Sequence, residues 1–197
     1  MISIPASKGF DRKAPLSTAF LEKSLAQSRL PAHGEVLPAE CGRIASSATS
    51  ITRPIRWTFA PGDVAPSLGR PRRRWWLMVE ADVNCVCERC MAPVVLSVHG
   101  RRGFEFFASA QQADAMTDQV TEEDEHRDPE LAEIDFLSPE DGVTLTDLIE
   151  EEVLLSLPMS PRHQACTPDL TSDPGPEQAK TQPFAGLAAL KGRLKKS

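Results

Sequence analysis

The residues best suited to chemistry in this chain are three cysteines and one histidine, arranged as two pairs. Cys87 and Cys90 enclose two residues, and His163 and Cys166 repeat that spacing farther along the chain. Two intervening residues let both side chains of a pair turn toward one ion, and three thiolates with one imidazole complete a tetrahedral zinc site. Because such a set leaves no position open for substrate, the pattern predicts a structural zinc site joining the middle of the chain to its C-terminal part.

Two other interpretations of the cysteines remain open. Cysteines are often buried as small hydrophobic side chains. A redox pair is the other option, although it ordinarily follows a strand and begins a helix, whereas strand-like segments flank Cys87 and Cys90 here. Five cysteines without a secretion signal favour reduced thiols or metal over a disulfide framework. Cys85 alternates onto an apolar face and is predicted to be core, and Cys41 is predicted to have no role in the site.

The segment that carries the first pair is predicted to be a β-hairpin. From Trp75 to Cys85 apolar and polar residues alternate almost without interruption, which is typical of a strand with one buried face. A second apolar stretch covers residues 94–107, so residues 87–93 form the turn and place the cysteine pair at the hairpin tip. We therefore predict an α+β fold, a small antiparallel sheet with this central hairpin, packed by one or two helices.

Two segments have the spacing and capping residues of helices, residues 17–29 and residues 144–157. In the second, Thr144 and Asp147 form an approximate capping box. Its three consecutive glutamates, residues 150–152, are predicted to face mostly solvent. Short strands and then a loop are predicted between the helices, at residues 44–51, 55–59 and 61–69.

Charged residues are distributed unevenly along the 197-residue chain, whose net charge is −6. Residues 118–141 contain eleven Asp or Glu and one Arg, and residues 108–141 are predicted to form a flexible acidic loop. We predict an N-terminal helical or irregular segment at residues 1–34 and a single core domain at residues 35–166. Residues 167–197 are predicted to be a linker and a basic C-terminal tail.

A short basic stretch precedes the hairpin, and a second one closes the chain. Arginine pairs with phosphate and an outward indole can stack on an unpaired base, so RNA contact is one interpretation. The alternative is a solvated strand edge whose positive charge discourages pairing with another edge. The predicted RNA-contacting residues are Arg53, Arg56, Arg72, Arg73, Arg74, Trp76, Lys191, Arg193, Lys195 and Lys196.

Sequence signatures of catalysis and of membrane insertion are missing. The chain contains no glycine-rich phosphate loop, nucleophile elbow or zinc-protease helix, and it has four histidines and no tyrosine. No segment approaches the roughly 18 apolar residues of a membrane span, and the residues around Lys8 lack the apolar run of a signal peptide. We expect a cytosolic, non-catalytic binding protein with no membrane association and no small-molecule substrate.

Three segments of the chain, taken in order, carry a resemblance to a known family. They are the cysteine pair after an apolar strand; residues 147–158 leading on to Pro161, His163 and Cys166; and Pro183, Phe184 and Ala185 with Leu187, Leu190 and Lys191. At those distances they resemble the bacterial YceD family, the large ribosomal RNA subunit accumulation proteins. The resemblance covers residues 75–107 and 143–191, with a less distinctive part at residues 34–38.

The resemblance implies a cytosolic, non-catalytic protein needed for synthesis, processing or stability of the 23S ribosomal RNA. It matches Cys87, Cys90 and Cys166 to the family's cysteines and His163 to a frequent histidine. The arginine-tryptophan run, residues 72–76, has no counterpart in it, so binding to precursor 23S RNA or to an early large-subunit particle is our inference from the residues.

Two further hypotheses remain open. In the first, the protein is an adaptor or chaperone whose acidic loop holds a basic ribosomal protein, and residues 184–190 dock as a short amphipathic helix. In the second, it is a redox-responsive regulator in which Cys87 and Cys90 form a reversible disulfide.

Overall fold

A computed structural model of the chain confirms the α+β class. The chain divides into two compact units, residues 1–163 and residues 164–197. The structure describes residues 9–27, 29–46, 50–67 and 70–166, with the side chains at 45–46 and 65–70 left aside. The predicted linker and tail, with Lys191, Arg193, Lys195 and Lys196, lie outside the described residues, and the predicted domain limits stay a prediction.

Short helices surround one sheet in the described residues. The helices are α1 (Thr18–Ala26), α2 (Gly42–Ser46), α3 (Ala110–Gln119), α4 (Glu122–Arg127) and α5 (Leu145–Leu155). The strands are β1 (Ala32–Val36), β2 (Ser50–Ile51), β3 (Ile55–Ser67), β4 (Arg70–Val86), β5 (Pro93–Phe106) and β6 (Ile134–Leu137). Single 3₁₀ turns lie at Pro38–Glu40, Pro129–Glu133 and Pro139–Asp141.

The sheet has the strand order β1-β3-β4-β5-β6, and β2 adds a short pairing to β4. Every pairing is antiparallel except that between β5 and β6, which is parallel. The purely antiparallel sheet predicted from the sequence is therefore wrong at this edge. A parallel neighbour requires a crossover connection, and residues 107–133, which contain α3 and α4, supply it.

The long β4–β5 hairpin follows the predicted alternation. Trp75, Leu77, Val79, Val83 and Cys85 are all buried, and the strand pairs with β5 from Trp75 opposite Phe104 to Val86 opposite Pro93. This face forms the core, against which α5 packs. Cys85 is thus a core residue, as predicted.

The loop predicted at residues 61–69 is wrong, because β3 continues through it. The strand keeps pairing with β4 as far as Ser67 opposite Arg70, after a register shift between Pro61 and Val64. Proline signals a loop in sequence, yet it is tolerated where a strand has no partner on one side. Beyond Phe59, β3 has no β1 partner, so its prolines remove no ladder hydrogen bond on that side.

The flexible acidic loop predicted at residues 108–141 is also wrong. This segment forms α3, α4 and β6, and its Ala113, Met116 and Phe136 pack with Phe107 in a small hydrophobic cluster. Its carboxylates pair with arginines of β4 and β5, namely Arg74, Arg101 and Arg102. The carboxylates therefore neutralise the sheet's arginines. This explains why the segment is folded, although its high content of acidic residues is typical of disordered segments.

Helix α5 confirms its predicted start and corrects its predicted polar face. The Thr144 side chain accepts from the Asp147 backbone N–H, and the Asp147 carboxylate accepts from the Thr144 N–H, which completes the capping box. Glu150 and Glu152 are buried, although both were predicted to face mostly solvent. Each has a partner that offsets its burial: Glu150 accepts from the Ile44 backbone N–H at 2.7 Å, and Glu152 accepts from Arg102 at 3.3 Å.

Candidate metal centre

The first ligand-bearing loop is the connection between β4 and β5. The Cys87 backbone N–H donates to the Ala92 carbonyl at 2.9 Å, and the Met91 N–H donates to the Cys87 carbonyl at 2.8 Å. Met91 has a φ of 60°, a left-handed conformation that is uncommon for a residue other than glycine. These contacts close the turn and hold Cys87 and Cys90 on it.

The second ligand-bearing loop follows α5 and contacts the first directly. The Glu88 backbone N–H donates to the Pro161 carbonyl at 2.9 Å, and the Ser160 hydroxyl donates to the Glu88 carboxylate. His163 Nδ1 lies 3.5 Å from Cys90 Sγ, and His163 Nε2 lies 3.0 Å from the Pro93 carbonyl oxygen. The carbonyl fixes the proton on Nε2, so Nδ1 is left to face the sulfur as a ligand.

The four predicted ligands lie together. One ligand atom from each of Cys87, Cys90, His163 and Cys166 falls within 4.8 Å of all the others, and the cluster can hold a metal ion. Sulfurs on tetrahedral zinc stand about 3.8 Å apart, given Zn–S bonds of about 2.3 Å. A small contraction would therefore close the group around an ion, and the donor set fits zinc. None of the five cysteines, all of which are among the described residues, forms a disulfide.

The surroundings of Cys87 favour a thiolate. Burial raises the pKa of this thiol, but backbone N–H groups of Cys90, His163 and Arg89 donate to its sulfur and bring the pKa down to about 5. The thiolate is the form that binds metal. The two loops therefore supply the ligands and also the backbone N–H donors that stabilise the negative charge on the Cys87 sulfur.

The structure places the predicted RNA-contacting arginines beside acidic or aromatic partners. Arg53 pairs with Asp82 at 3.1 Å, and Arg56 pairs with Glu80. Arg73 lies 3.5 Å from Glu22, Arg72 lies 3.8 Å above the Phe107 ring, and Trp76 is covered by Arg101 at 3.6 Å.

Arg74 requires a correction, because it is not a surface residue. Its side chain is only 4% exposed, and it contacts Glu105 at 3.3 Å, Glu130 at 3.2 Å and Asp128. Arg74 therefore joins β4 and β5 to the α4–β6 connection and is unavailable to a phosphate. Complementary charge between the basic residues 70–74 and the acidic residues 118–141 was the one sequence signal that could have predicted this network.

The Arg74–Asp128 pair should make stability depend on pH. The hydrogen bond from Arg74 lowers the pKa of the Asp128 carboxyl below its usual range. The pair therefore stabilises the fold above the unfolded-state pKa of about 4, and that contribution is lost as pH falls through the folded-state value. In urea unfolding, Asp128→Asn should be less stable than wild type at pH 7, and the difference should shrink below about pH 4. A difference that stays constant with pH would contradict this.

The protein is thus an α+β domain with a Cys₃His cluster held by two loops that contact each other. Comparison with protein families matches residues 77–191 to YceD, described as large ribosomal RNA subunit accumulation protein YceD. The match covers more than half of the chain, so the chain belongs to the YceD family, whose name implies a role in the accumulation of large-subunit ribosomal RNA. No solved structure matches the chain significantly. None of the helices among the described residues has the length and apolar character needed to cross a membrane.

Proposed function

We propose that the protein is a cytoplasmic ribosome-biogenesis factor that supports synthesis, processing or stability of 23S ribosomal RNA. It does so by binding precursor RNA or an early large-subunit particle. The family match over residues 77–191 is the observation that carries this proposal. The proposed role is binding and not catalysis, and the metal itself is proposed to be structural, since four protein ligands leave no coordination position for a substrate.

Zinc is the metal proposed for the cluster, and its role is structural. Cys87, Cys90, His163 and Cys166 would hold it, with the Pro93 carbonyl orienting the imidazole. The bound ion would tie the two ligand-bearing loops together. It would thereby fix the end of the β4–β5 hairpin as a rigid surface.

Exposed arginines on the outer face of the sheet are the described residues best placed to contact RNA. Arg53, Arg56 and His99 line one shallow groove of about 250 Å³, together with Glu80 and Asp82. Exposed ion pairs of this kind contribute only about 0–1 kcal/mol each. Their carboxylates can therefore be exchanged for phosphates at little cost.

Direct RNA binding should be measured with purified protein and a precursor 23S transcript across a salt series. We expect association at low salt that weakens steeply as salt rises, because each phosphate contact releases counterions. Arg53→Ala with Arg56→Ala should lower both the affinity and the salt slope, the latter by about 1.5 for two lost contacts. Arg127→Ala, which removes an equally exposed arginine paired on α4, should change neither.

A 16S transcript and purified early large-subunit particles complete that experiment. Preference for the 23S transcript or for the particle over the 16S transcript is expected. If the protein binds neither the 23S transcript nor the particle at low salt, the proposal is overturned.

A further inference from the structure

An open groove lies between α5 and the segment that connects β5 to β6. It encloses about 500 Å³, and its apolar floor includes Phe104, Leu131, Ile134 and Leu148. The groove is separate from the metal centre and from the arginines of the outer face. No described residue fills it.

The edge of this groove exposes an apolar side chain on α5. Leu155 lines the groove in the last turn of the helix and is 61% exposed. Small-molecule sites usually bury most of the ligand surface. A groove with a half-exposed wall instead suits a helix that buries one face and leaves the other in solvent.

The charges around the groove are mainly negative. Asp135, Glu151 and Glu152 line it against a single cation, Arg102. Arg102 lies 3.8 Å from Asp135 and 3.3 Å from Glu152, and Glu151 pairs with Arg43 at 3.6 Å.

Two observations add to this negative character. Helix α3, which lines the groove through Thr117, also carries Asp114 and Asp118, both exposed and without an ion pair among the described residues. Asp135 is 51% exposed at the groove, so its carboxylate is accessible to a cation of a bound partner.

We propose that this groove binds a basic amphipathic helix of a partner protein, with its apolar face on the floor and its lysines or arginines toward Asp135 and Glu151. Such a helix presents residues at i, i+3, i+4 and i+7 to an apolar groove and cations on the flanks. The inference goes beyond RNA association, because it assigns a protein partner to a different surface. It also differs from the acidic-loop adaptor, since the site is a groove with an apolar floor.

Site-specific photocrosslinking tests the partner's chemistry. A benzoylphenylalanine at position 155 of the full chain is activated in cells, and crosslinked peptides are identified by mass spectrometry. Position 37 is the matched control, since Leu37 is a similarly exposed leucine, at 57%, that does not line the groove. We expect position 155 to crosslink to a basic amphipathic segment of another protein and position 37 not to do so.

Affinity measurements complete the test with a labelled synthetic peptide of the crosslinked segment. In fluorescence anisotropy, Leu155→Gln and Asp135→Asn should each weaken binding about tenfold, because each change removes an apolar or ionic contact to the bound helix. Leu37→Gln should leave the affinity within about twofold. Binding of the 23S transcript should be unaffected by all three variants, which separates this inference from the proposed function.

Four outcomes would overturn the inference. They are no crosslink at position 155, a crosslink to an acidic or non-amphipathic segment, a crosslink to this chain's own residues 183–196, and a peptide affinity that Leu155→Gln does not change.

Discussion

Replacing Cys90 with serine should remove the metal and destabilise the protein more than most single substitutions do. Binding energy at a structural zinc site is folding energy, because the site is not preformed in the unfolded chain. We expect zinc content to fall from one ion per chain to nearly none, and the free energy of unfolding to fall by at least about 3 kcal/mol. For a chain of this length that corresponds to a melting temperature about 10 °C lower. Metal analysis and thermal unfolding measure both effects.

A nearby cysteine outside the cluster supplies the control. Cys85 is buried in the same strand that leads to Cys87 but lies outside the four-ligand group. Cys85→Ala should retain the metal and lose about 1 kcal/mol, as expected for a small apolar group. Wild-type protein that purifies without metal and is as stable as Cys90→Ser would contradict the structural zinc site.

Replacing Arg74 with alanine should have the second large effect, of about 3–5 kcal/mol. The change removes the cation that contacts the fully buried Glu105 at 3.3 Å and releases Asp128 and Glu130. Losing one member of a buried charge pair is far more costly than losing an exposed pair. Chemical denaturation measures the stability, and hydrogen exchange should report faster opening of residues 122–133.

Two variants make this result specific to the buried charge. Arg56→Ala removes an arginine from an exposed pair of the same sheet, and it should cost no more than about 1 kcal/mol. Adding Glu105→Gln to Arg74→Ala should recover part of the loss, since a neutral amide is less costly to bury than a carboxylate that has lost Arg74. Equal effects of Arg74→Ala and Arg56→Ala would show that the network contributes nothing beyond an ordinary surface pair.

The hairpin and α5 could be predicted because their signals are local. Alternation from Trp75 to Cys85 depends only on which face of one strand is buried. The cap of α5 depends on Thr144 and Asp147 alone. The four metal ligands were also predictable, because each pair is a local motif that supplies two ligands. Two such pairs together make up the four ligands of a tetrahedral zinc site.

The elements that were missed depend on partners distant in sequence. The composition of residues 108–141 predicts a solvated acidic loop, because the arginines of β4 and β5 that pair with its carboxylates are distant in sequence. Glu150 and Glu152 were predicted to face solvent because their partners, the Ile44 backbone and Arg102, belong to other elements. The continuation of β3 through its prolines depends on β1 ending early, which no local pattern reveals.

We propose that this member of the YceD family contacts the RNA of the large ribosomal subunit directly. Ultraviolet crosslinking in growing cells, followed by sequencing of the RNA attached to the protein, tests it most directly. We expect reads concentrated at discrete sites of 23S RNA or its precursor and enriched over 16S RNA. Reads spread over cellular RNAs in proportion to their abundance, or no reads above the uncrosslinked background, would contradict it.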